Sequence, residues 1–139
     1  MTVVADTGAI YALLDRDDAW HDRVRRWWEE DGGDATVLLP VTTLPEICWL
    51  LASRISLRAE LAFVEAVAEG EFATEPLLEE DLARTVDLLR TYADSPLGFV
   101  DGSIAAIAER LGTRQLLTTD RRHFGMVRLA RGAGFQLLP

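Results

Sequence analysis

Short apolar runs along the chain alternate with longer segments in which apolar residues recur at helical spacing. Trp20, Val24 and Trp27, for example, lie three or four residues apart, which is typical of an amphipathic helix. Gly70 and Gly112 end two of the later segments. The pattern predicts strands at 2–5, 36–39, 72–74, 115–118 and 135–138, and helices at 9–14, 19–30, 43–54, 57–69, 79–92 and 100–111.

This alternation of short strands and helices is typical of a parallel sheet with helices on both faces. The sequence therefore predicts an α/β fold with a parallel sheet of four to five strands. No repeat, low-complexity tract or linker interrupts the chain, so we expect one domain over residues 1–139. Ligands of such sheets bind at the carboxyl ends of the strands, where this chain places Asp6 and Asp120.

The composition agrees with a globular domain in a reducing compartment. The chain has 139 residues, of which 49% are hydrophobic, and Cys48 is its single cysteine, so an intrachain disulfide is impossible. The longest apolar runs, 9–14 and 47–52, have six residues each, whereas a membrane span needs about 20. The first residues do not resemble a signal peptide. We therefore expect a cytoplasmic protein without a membrane span.

The charged residues exclude several functions. The chain carries 23 acidic and 14 basic residues, a net charge of −9, and every basic residue is arginine. Without lysine, P-loop phosphate binding and Schiff-base catalysis are impossible. The acidic balance also argues against a nucleic-acid coat protein. Contact with RNA or DNA would require something that offsets the carboxylates, and a divalent metal ion is the obvious candidate.

Four carboxylates stand out by position. Asp6 and Asp120 follow predicted strands, Glu46 lies in the first turn of a predicted helix, and Asp101 lies at the start of another. Mg²⁺ prefers such hard oxygen ligands, and a metal site of this kind can activate water and stabilise a leaving oxygen. A bound cation would also keep neighbouring carboxylates ionised.

Each carboxylate has a structural alternative. Asp6 could cap the helix that follows it, and Asp101 could interact only with the helix dipole. Glu46 fits a capping box with Thr43, and Asp120 could be a turn residue. The combination of the four therefore carries more weight than any one of them.

Four segments in a fixed order carry a resemblance to a known family: ADTG at 5–8 before an apolar helix, Glu46 in a mid-chain helix, VDGSIAA at 100–106, and LTTDRRHF at 117–124. Together they resemble the PIN-domain family, and within it VapC-type toxins, over essentially the whole chain. The resemblance implies a PIN-like three-layer sandwich and a metal-dependent ribonuclease. It also implies a cognate antitoxin that obstructs the site, and commonly a homodimer.

The resemblance assigns roles to the four acids. Asp6 and Asp101 match the main metal ligands of the family, while Glu46 and Asp120 match its two other acidic positions. All four are intact, so the resemblance implies an active enzyme that uses Mg²⁺ or Mn²⁺.

Polar neighbours of these acids are further candidates. Thr7 and Thr118 could orient carboxylates through their hydroxyl groups, or serve only as a helix cap and a strand residue. Arg121 and Arg122 follow Asp120 and could bind a scissile phosphate, or belong to a solvated loop.

Four tryptophans allow two interpretations. Trp20, Trp27 and Trp28 on one predicted helix and Trp49 on another could be core residues. Exposed aromatic residues also mark protein interfaces, and the resemblance favours a groove for an amphipathic segment of the antitoxin.

The sequence thus predicts a metal-dependent endoribonuclease, the toxin of a type II toxin–antitoxin pair, whose partners are RNA and the antitoxin. Two alternatives remain open. A metal-dependent phosphatase would also place an aspartate at a strand end, although the missing lysine weighs against it. A non-catalytic protein-binding module would use the acidic crevice to capture a basic peptide.

Overall fold

A computed structural model describes all 139 residues of the chain. Its strands are β1 (Thr2–Ala5), β2 (Thr36–Pro40), β3 (Ala73–Glu75), β4 (Gln115–Leu117) and β5 (Gln136–Leu138). Its helices are α1 (Thr7–Leu14), α2 (His21–Glu30), α3 (Leu44–Arg54), α4 (Leu57–Ala68), α5 (Glu79–Thr91), α6 (Phe99–Leu111) and α7 (Arg121–Met126). Two 3₁₀ turns, Gly32–Asp34 and Val41–Thr43, join some of these elements.

All five strands form one parallel sheet in the order β3-β2-β1-β4-β5. The predicted α/β fold is therefore confirmed. β1 lies at the centre, with Val3 opposite Val37 of β2 and Val4 opposite Leu116 of β4. Residues 3–5 are fully buried because helices cover both faces of the sheet, which explains why the strand is continuously apolar.

The two helical layers build separate parts of the core. On one face, α1 to α4 enclose a cluster that includes Ile10, Trp27 and Leu51. On the other face, α5, α6 and α7 supply Leu88, Ile104 and Phe124, among other residues. The parallel strands direct their carboxyl ends to one edge of these layers, and the polar residues that follow the strands therefore meet there.

Helix α6 lies unusually close to α5 at Gly102. A Cβ atom at this position would lie 3.1 Å from Cγ2 of Thr85, so a side chain here would require Thr85 or one of the helices to shift. The glycine thus allows this close contact between α5 and the first turn of α6.

The prediction missed helix α7 and assigned no helix or strand to its residues. The helix has six residues and only one fully buried side chain, Phe124. Such a segment is too short to show helical periodicity. Other boundaries differ from the predicted ones by one or two residues. No helix has the length and apolar character that crossing a lipid bilayer requires.

Candidate active site

A polar cleft of about 290 Å³ opens at the carboxyl ends of the central strands. It contains all four predicted acids, and no arginine lines it. The lining residues are Asp6, Thr7, Gly8, Glu46, Asp101, Ile104, Thr119 and Asp120. We call it the acidic cleft.

Asp6 follows β1 directly and is 5% exposed. Its Oδ1 accepts a hydrogen bond from the backbone N–H of Ala9 at 2.8 Å and so caps α1. Its Oδ2 accepts a hydrogen bond from the hydroxyl of Thr118. The helix-cap alternative is therefore correct for one oxygen of this carboxylate, while the residue as a whole lines the acidic cleft.

Burial raises the pKa of the Asp6 carboxyl from 3.8 to about 7. The hydrogen bonds from Thr118 and Ala9 oppose this rise, and the negative charges of Asp120 and Asp101 add to it. Burial also raises the pKa of Asp101, with a further contribution from Asp120. Burial and mutual repulsion therefore disfavour the ionised form of the carboxylates in the acidic cleft. A bound cation would stabilise that ionised form.

Thr118 joins two sides of the acidic cleft. The residue is fully buried at the end of β4. Its Oγ1 donates to Asp6 and accepts a hydrogen bond from the backbone N–H of Asp120 at 2.8 Å. One hydroxyl thus fixes both the Asp6 carboxylate and the backbone from which the Asp120 side chain projects.

Glu46 enters the acidic cleft from the first turn of α3. Its Oε1 accepts a hydrogen bond from the Thr7 hydroxyl at 2.7 Å. The capping-box alternative is wrong, because the Thr43 side chain makes no capping hydrogen bond and donates only to the backbone oxygen of Pro40 at 2.7 Å. The side chain of Glu46 is therefore directed towards α1 and not back along its own helix.

Asp101 lies in the first turn of α6. Two residues later, Ser103 is fully buried, and its hydroxyl lies 2.7 Å from that of Thr42 in the turn that precedes α3. This contact holds the helix of Asp101 against the turn that leads into α3, the helix of Glu46. Sequence reasoning missed it, because nothing in the local pattern links two hydroxyl residues 61 positions apart.

Asp120 caps α7 and is not a simple turn residue. Its Oδ1 accepts a hydrogen bond from the backbone N–H of His123 at 3.0 Å. Its Oδ2 lies 2.6 Å from Nδ1 of the same histidine. His123 is therefore the one basic ring in direct contact with an acid of the cleft.

Gly8 and Thr119 are cleft residues that the sequence reasoning did not select. A Cβ atom at Gly8 would lie 2.6 Å from Oγ1 of Thr119. Only glycine therefore lets the start of α1 approach the segment after β4 so closely. The ADTG and TTD sequences contain the signal, since each places a small or hydroxyl residue beside an aspartate.

Arg121 and Arg122 do not line the acidic cleft. The Arg121 guanidinium lies 5.8 Å from the centre of the Trp20 ring, and it donates to the backbone oxygen of Pro139. Arg122 is exposed. The two arginines lie in the first turn of α7, directly after Asp120, so the alternative that they belong to a solvated loop is wrong.

The four tryptophans differ in environment. Trp27 is 6% exposed and belongs to the core, so the groove prediction is wrong for this residue because almost none of its ring can reach a partner. Trp28 is half-buried against Phe72. Trp20 packs against the guanidinium of Arg23 at 4.9 Å. Trp49 alone is largely exposed, at 69%.

The acidic cleft has the donor chemistry of a site for a hard divalent cation. Its ligands would be carboxylate and hydroxyl oxygens, which Mg²⁺ and Mn²⁺ prefer over softer metals. Burial of Asp6 without a neighbouring arginine fits the same assignment. The acids converge on one space, yet no three of them form a closed set of metal ligands. A cation would therefore complete its shell with water or substrate oxygens.

Comparisons with known proteins agree with this geometry. Ribonuclease VapC26 of Mycobacterium tuberculosis is 29% identical over 137 residues, which cover 99% of this chain and all of the relative. The crystal structure of VapC20 from the same species, described as a sarcin-ricin loop cleaving toxin, matches with a TM-score of 0.78 and 22% identity. That match covers 90% of this chain and 96% of the other.

A DNA-bound VapBC structure from Salmonella typhimurium matches with a TM-score of 0.70 and 18% identity over 99% of this chain and 96% of its own. At such identities, the solved structures show the shared fold. The resemblance to VapC-type proteins found in the sequence is confirmed. The model of the PIN domain matches residues 3–130, and the chain therefore belongs to the PIN-domain family.

Proposed function

We propose that this chain is a metal-dependent endoribonuclease that acts as a single domain in the cytoplasm and is the toxin of a type II toxin–antitoxin pair. The observation that carries the proposal is the convergence of four acids, from four separate elements, on one cleft. Membership of the PIN-domain family and full-length similarity to a ribonuclease support it.

In this proposal Asp6, Glu46, Asp101 and Asp120 hold Mg²⁺ or Mn²⁺. When bound, such a cation activates water and stabilises the leaving oxygen of a phosphodiester. Asp6 and Asp120 lie after β1 and β4 and cap α1 and α7, while Glu46 and Asp101 lie in the first turns of α3 and α6. These rigid elements set the spacing of the carboxylates before any substrate arrives.

The two threonines act through the acids. Thr7 donates to Glu46 and limits its rotation. Thr118 donates to Asp6, which favours the ionised form of that buried carboxyl. Because the pKa of Asp6 lies near 7, a proton and a cation compete for this carboxylate at neutral pH. The hydroxyl of Thr118 therefore helps to keep the site ready for metal.

The test is cleavage of a mixed RNA pool with Mg²⁺ or Mn²⁺, beside an EDTA control and the Asp101→Asn variant. We expect cleavage with metal and at least about a 100-fold loss in the variant, since even the loss of a group that only supports a ligand costs 10- to 100-fold. Asp94→Asn is the matched control, because Asp94 is exposed, lies in a turn and does not line the acidic cleft.

Full activity of Asp101→Asn would refute the site, and equal losses in both variants would show that the effect is not specific to the acidic cleft. Absence of cleavage by folded, antitoxin-free protein with any metal would favour the non-catalytic binding module.

The antitoxin would cover Trp49. This ring lines a second, apolar cleft with Pro45 and Leu50, and that cleft shares Thr7 and Glu46 with the acidic cleft. A segment seated on Trp49 would therefore reach the entrance of the acidic cleft. Several similar structures are VapBC or toxin–antitoxin complexes, which supports a protein partner of this kind.

We expect Trp49→Ser to weaken binding of the antitoxin at least about 30-fold, because a buried tryptophan is a typical interface hot spot. The partner would be the product of a small open reading frame beside this one, and its affinity would be measured by titration. Leu82→Ser, at an exposed apolar position on α5, is the control. Unchanged binding by a folded Trp49→Ser protein would remove Trp49 from the groove.

The family resemblance also implies a homodimer, which we include in the proposal. A solution mass of twice 15.4 kDa for the antitoxin-free protein would support it, and a mass of one chain at every concentration tested would contradict it.

A further inference from the structure

Positive charge is concentrated at one edge of this acidic molecule. Residues 112–139, which we call the edge segment, contain five arginines and one acid, whereas the other 111 residues contain nine arginines and 22 acids. The edge segment includes β4, α7 and the outermost strand β5. Its single acid, Asp120, lines the acidic cleft. The remaining surface of this segment therefore attracts anions.

A cleft of about 360 Å³ opens on this edge. It lies between the carboxyl-terminal end of α6 and the loop that precedes β5, and we call it the edge cleft. Its charged lining residues are Arg114, Arg131 and Glu109. The edge cleft shares no lining residue with the acidic cleft.

The acid of the edge cleft is already neutralised. Arg84 on α5 donates from Nε to Oε2 of Glu109 at 2.8 Å and from Nη2 to Oε1 at 3.0 Å. Such a two-point pair satisfies both carboxylate oxygens. The edge cleft therefore has the net charge of its two arginines.

Both arginines retain free donors. Arg114 uses only Nε, which donates to the backbone oxygen of Gly134 at 2.8 Å, and its terminal nitrogens are unpaired. The exposed Arg131 makes no hydrogen bond or ion pair with the protein. Planar guanidinium groups with free terminal nitrogens suit phosphate oxygens, which they bind in a two-point manner.

We infer that the edge cleft binds the phosphate backbone of the RNA substrate, a few nucleotides away from the bond that is cut. This inference rests on the proposed ribonuclease function and names the surface that holds the substrate. The acidic cleft repels a polyanion, so a substrate strand needs attractive contacts elsewhere. Arg114 precedes β4 and Asp120 follows it, and six residues of extended chain span at most about 20 Å.

Three other arginines lie in the chain between Asp120 of the acidic cleft and Arg131 of the edge cleft. Arg121 and Arg122 begin α7, and Arg128 follows its end. Arg128 donates to the backbone oxygen of Gly125 at 3.0 Å, which holds it beside the helix. A strand that leaves the acidic cleft along α7 would therefore meet arginine along its path to the edge cleft.

The test is RNA binding by the variant Arg114→Gln/Arg131→Gln. The probe is a fluorescein-labelled single strand of mixed sequence, about 20 nucleotides long, and anisotropy is measured in EDTA over a range of salt concentrations. The loss of two phosphate contacts should make the slope of log K against log salt shallower by about 1.4. We expect the affinity at low salt to fall about fivefold or more.

The matched control is Arg58→Gln/Arg90→Gln, which removes the same charge from two exposed arginines outside the edge segment. We expect its slope to stay at the wild-type value. Thermal unfolding verifies the fold of each variant. Arg131→Gln alone loses no native hydrogen bond and provides the same test, with half the change in slope, if the double variant unfolds.

The inference would be overturned if the two double variants changed RNA binding equally. It would also be overturned if Arg114→Gln/Arg131→Gln bound RNA as tightly as the wild-type protein, or if the wild-type protein did not bind RNA. Loss of antitoxin binding with unchanged RNA binding would also overturn it and assign the edge cleft to an acidic peptide. Binding in EDTA does not require cleavage, so a protein that binds RNA through this cleft but never cuts it would refute only the proposed function. In an active enzyme, the edge variant should raise KM and leave kcat unchanged.

Discussion

Two aspartates are buried in this molecule, and only one of them is paired with an arginine. Asp81 in α5 is 1% exposed, and both of its oxygens accept hydrogen bonds from Nε of Arg110, at 2.9 and 3.0 Å. Asp6 is 5% exposed, and its donors are a neutral hydroxyl and a backbone N–H, with other acids nearby. One carboxylate has its counter-charge within the fold and the other does not.

The paired Asp81 carboxylate contributes to the stability of the fold, whereas the Asp6 carboxylate remains available for a bound cation. Arg110 also binds Glu75 at 2.9 Å and the backbone oxygen of Pro76 at 3.1 Å, so one cation joins the end of β3 to α5 and α6. A buried carboxylate without a cation is costly. Such a group is typical of a site whose positive charge comes from a bound species.

Breaking the Asp81 pair should have the largest effect on stability. Asp81→Asn removes the more deeply buried of the two carboxylates that Arg110 binds, and we expect a loss of about 3 kcal/mol in the free energy of unfolding. Denaturant unfolding at neutral pH measures it. Glu29→Gln, which breaks the exposed pair between Arg25 and Glu29, should change stability by less than about 1 kcal/mol. Similar losses of unfolding free energy in Asp81→Asn and Glu29→Gln would show that the buried pair stabilises the fold no more than the exposed pair.

Asp6 should make the stability of the folded protein depend on pH. Its pKa in the folded protein, about 7, lies above its ordinary value of 3.8, so folding binds a proton between these values. The stabilisation from this group is complete below pH 3.8 and is lost as pH rises through 7. For the metal-free protein, we expect this group to lower stability by about 2 to 3 kcal/mol between pH 5 and pH 8.

Asp6→Asn should abolish this part of the pH dependence, and unfolding at several pH values in EDTA measures the difference from wild type. Mg²⁺ should raise the melting temperature of the wild-type protein more at pH 8 than at pH 6, because the proton then no longer competes. Parallel pH curves for wild type and Asp6→Asn would show that Asp6 keeps an ordinary pKa.

Removing the Thr118 hydroxyl should have a smaller effect on stability and a clear effect on activity. We expect Thr118→Val to reduce cleavage about 10- to 100-fold and to shift the acid limb of the pH–rate profile to higher pH, since Asp6 loses a hydrogen bond that lowers its pKa. Thr118→Ser restores the donor and should restore the profile. A profile that stays unchanged in Thr118→Val would assign a packing role to this residue.

The sequence predicted the sheet and the position of the four acids at its carboxyl edge because both depend on local patterns. Buried strands are short apolar runs; Asp6 follows β1 directly, and Asp120 follows β4 after two threonines. Helix α7 escaped prediction because six residues with one buried side chain show no period. The partner of Glu46 was missed for a different reason. A capping box and a contact with Thr7 need the same residue types, and only the packing of α3 against α1 selects between them.

The hydrogen bond between Thr118 and Asp6 joins residues 112 positions apart. A ribosome adds about 5 to 20 residues per second, so Thr118 is synthesised at least about 5 seconds after Asp6. Contacts of such long range also form late when a chain folds. A growing chain therefore contains β1 and its aspartate well before it contains a complete acidic cleft, and the order of synthesis delays any activity that depends on this cleft.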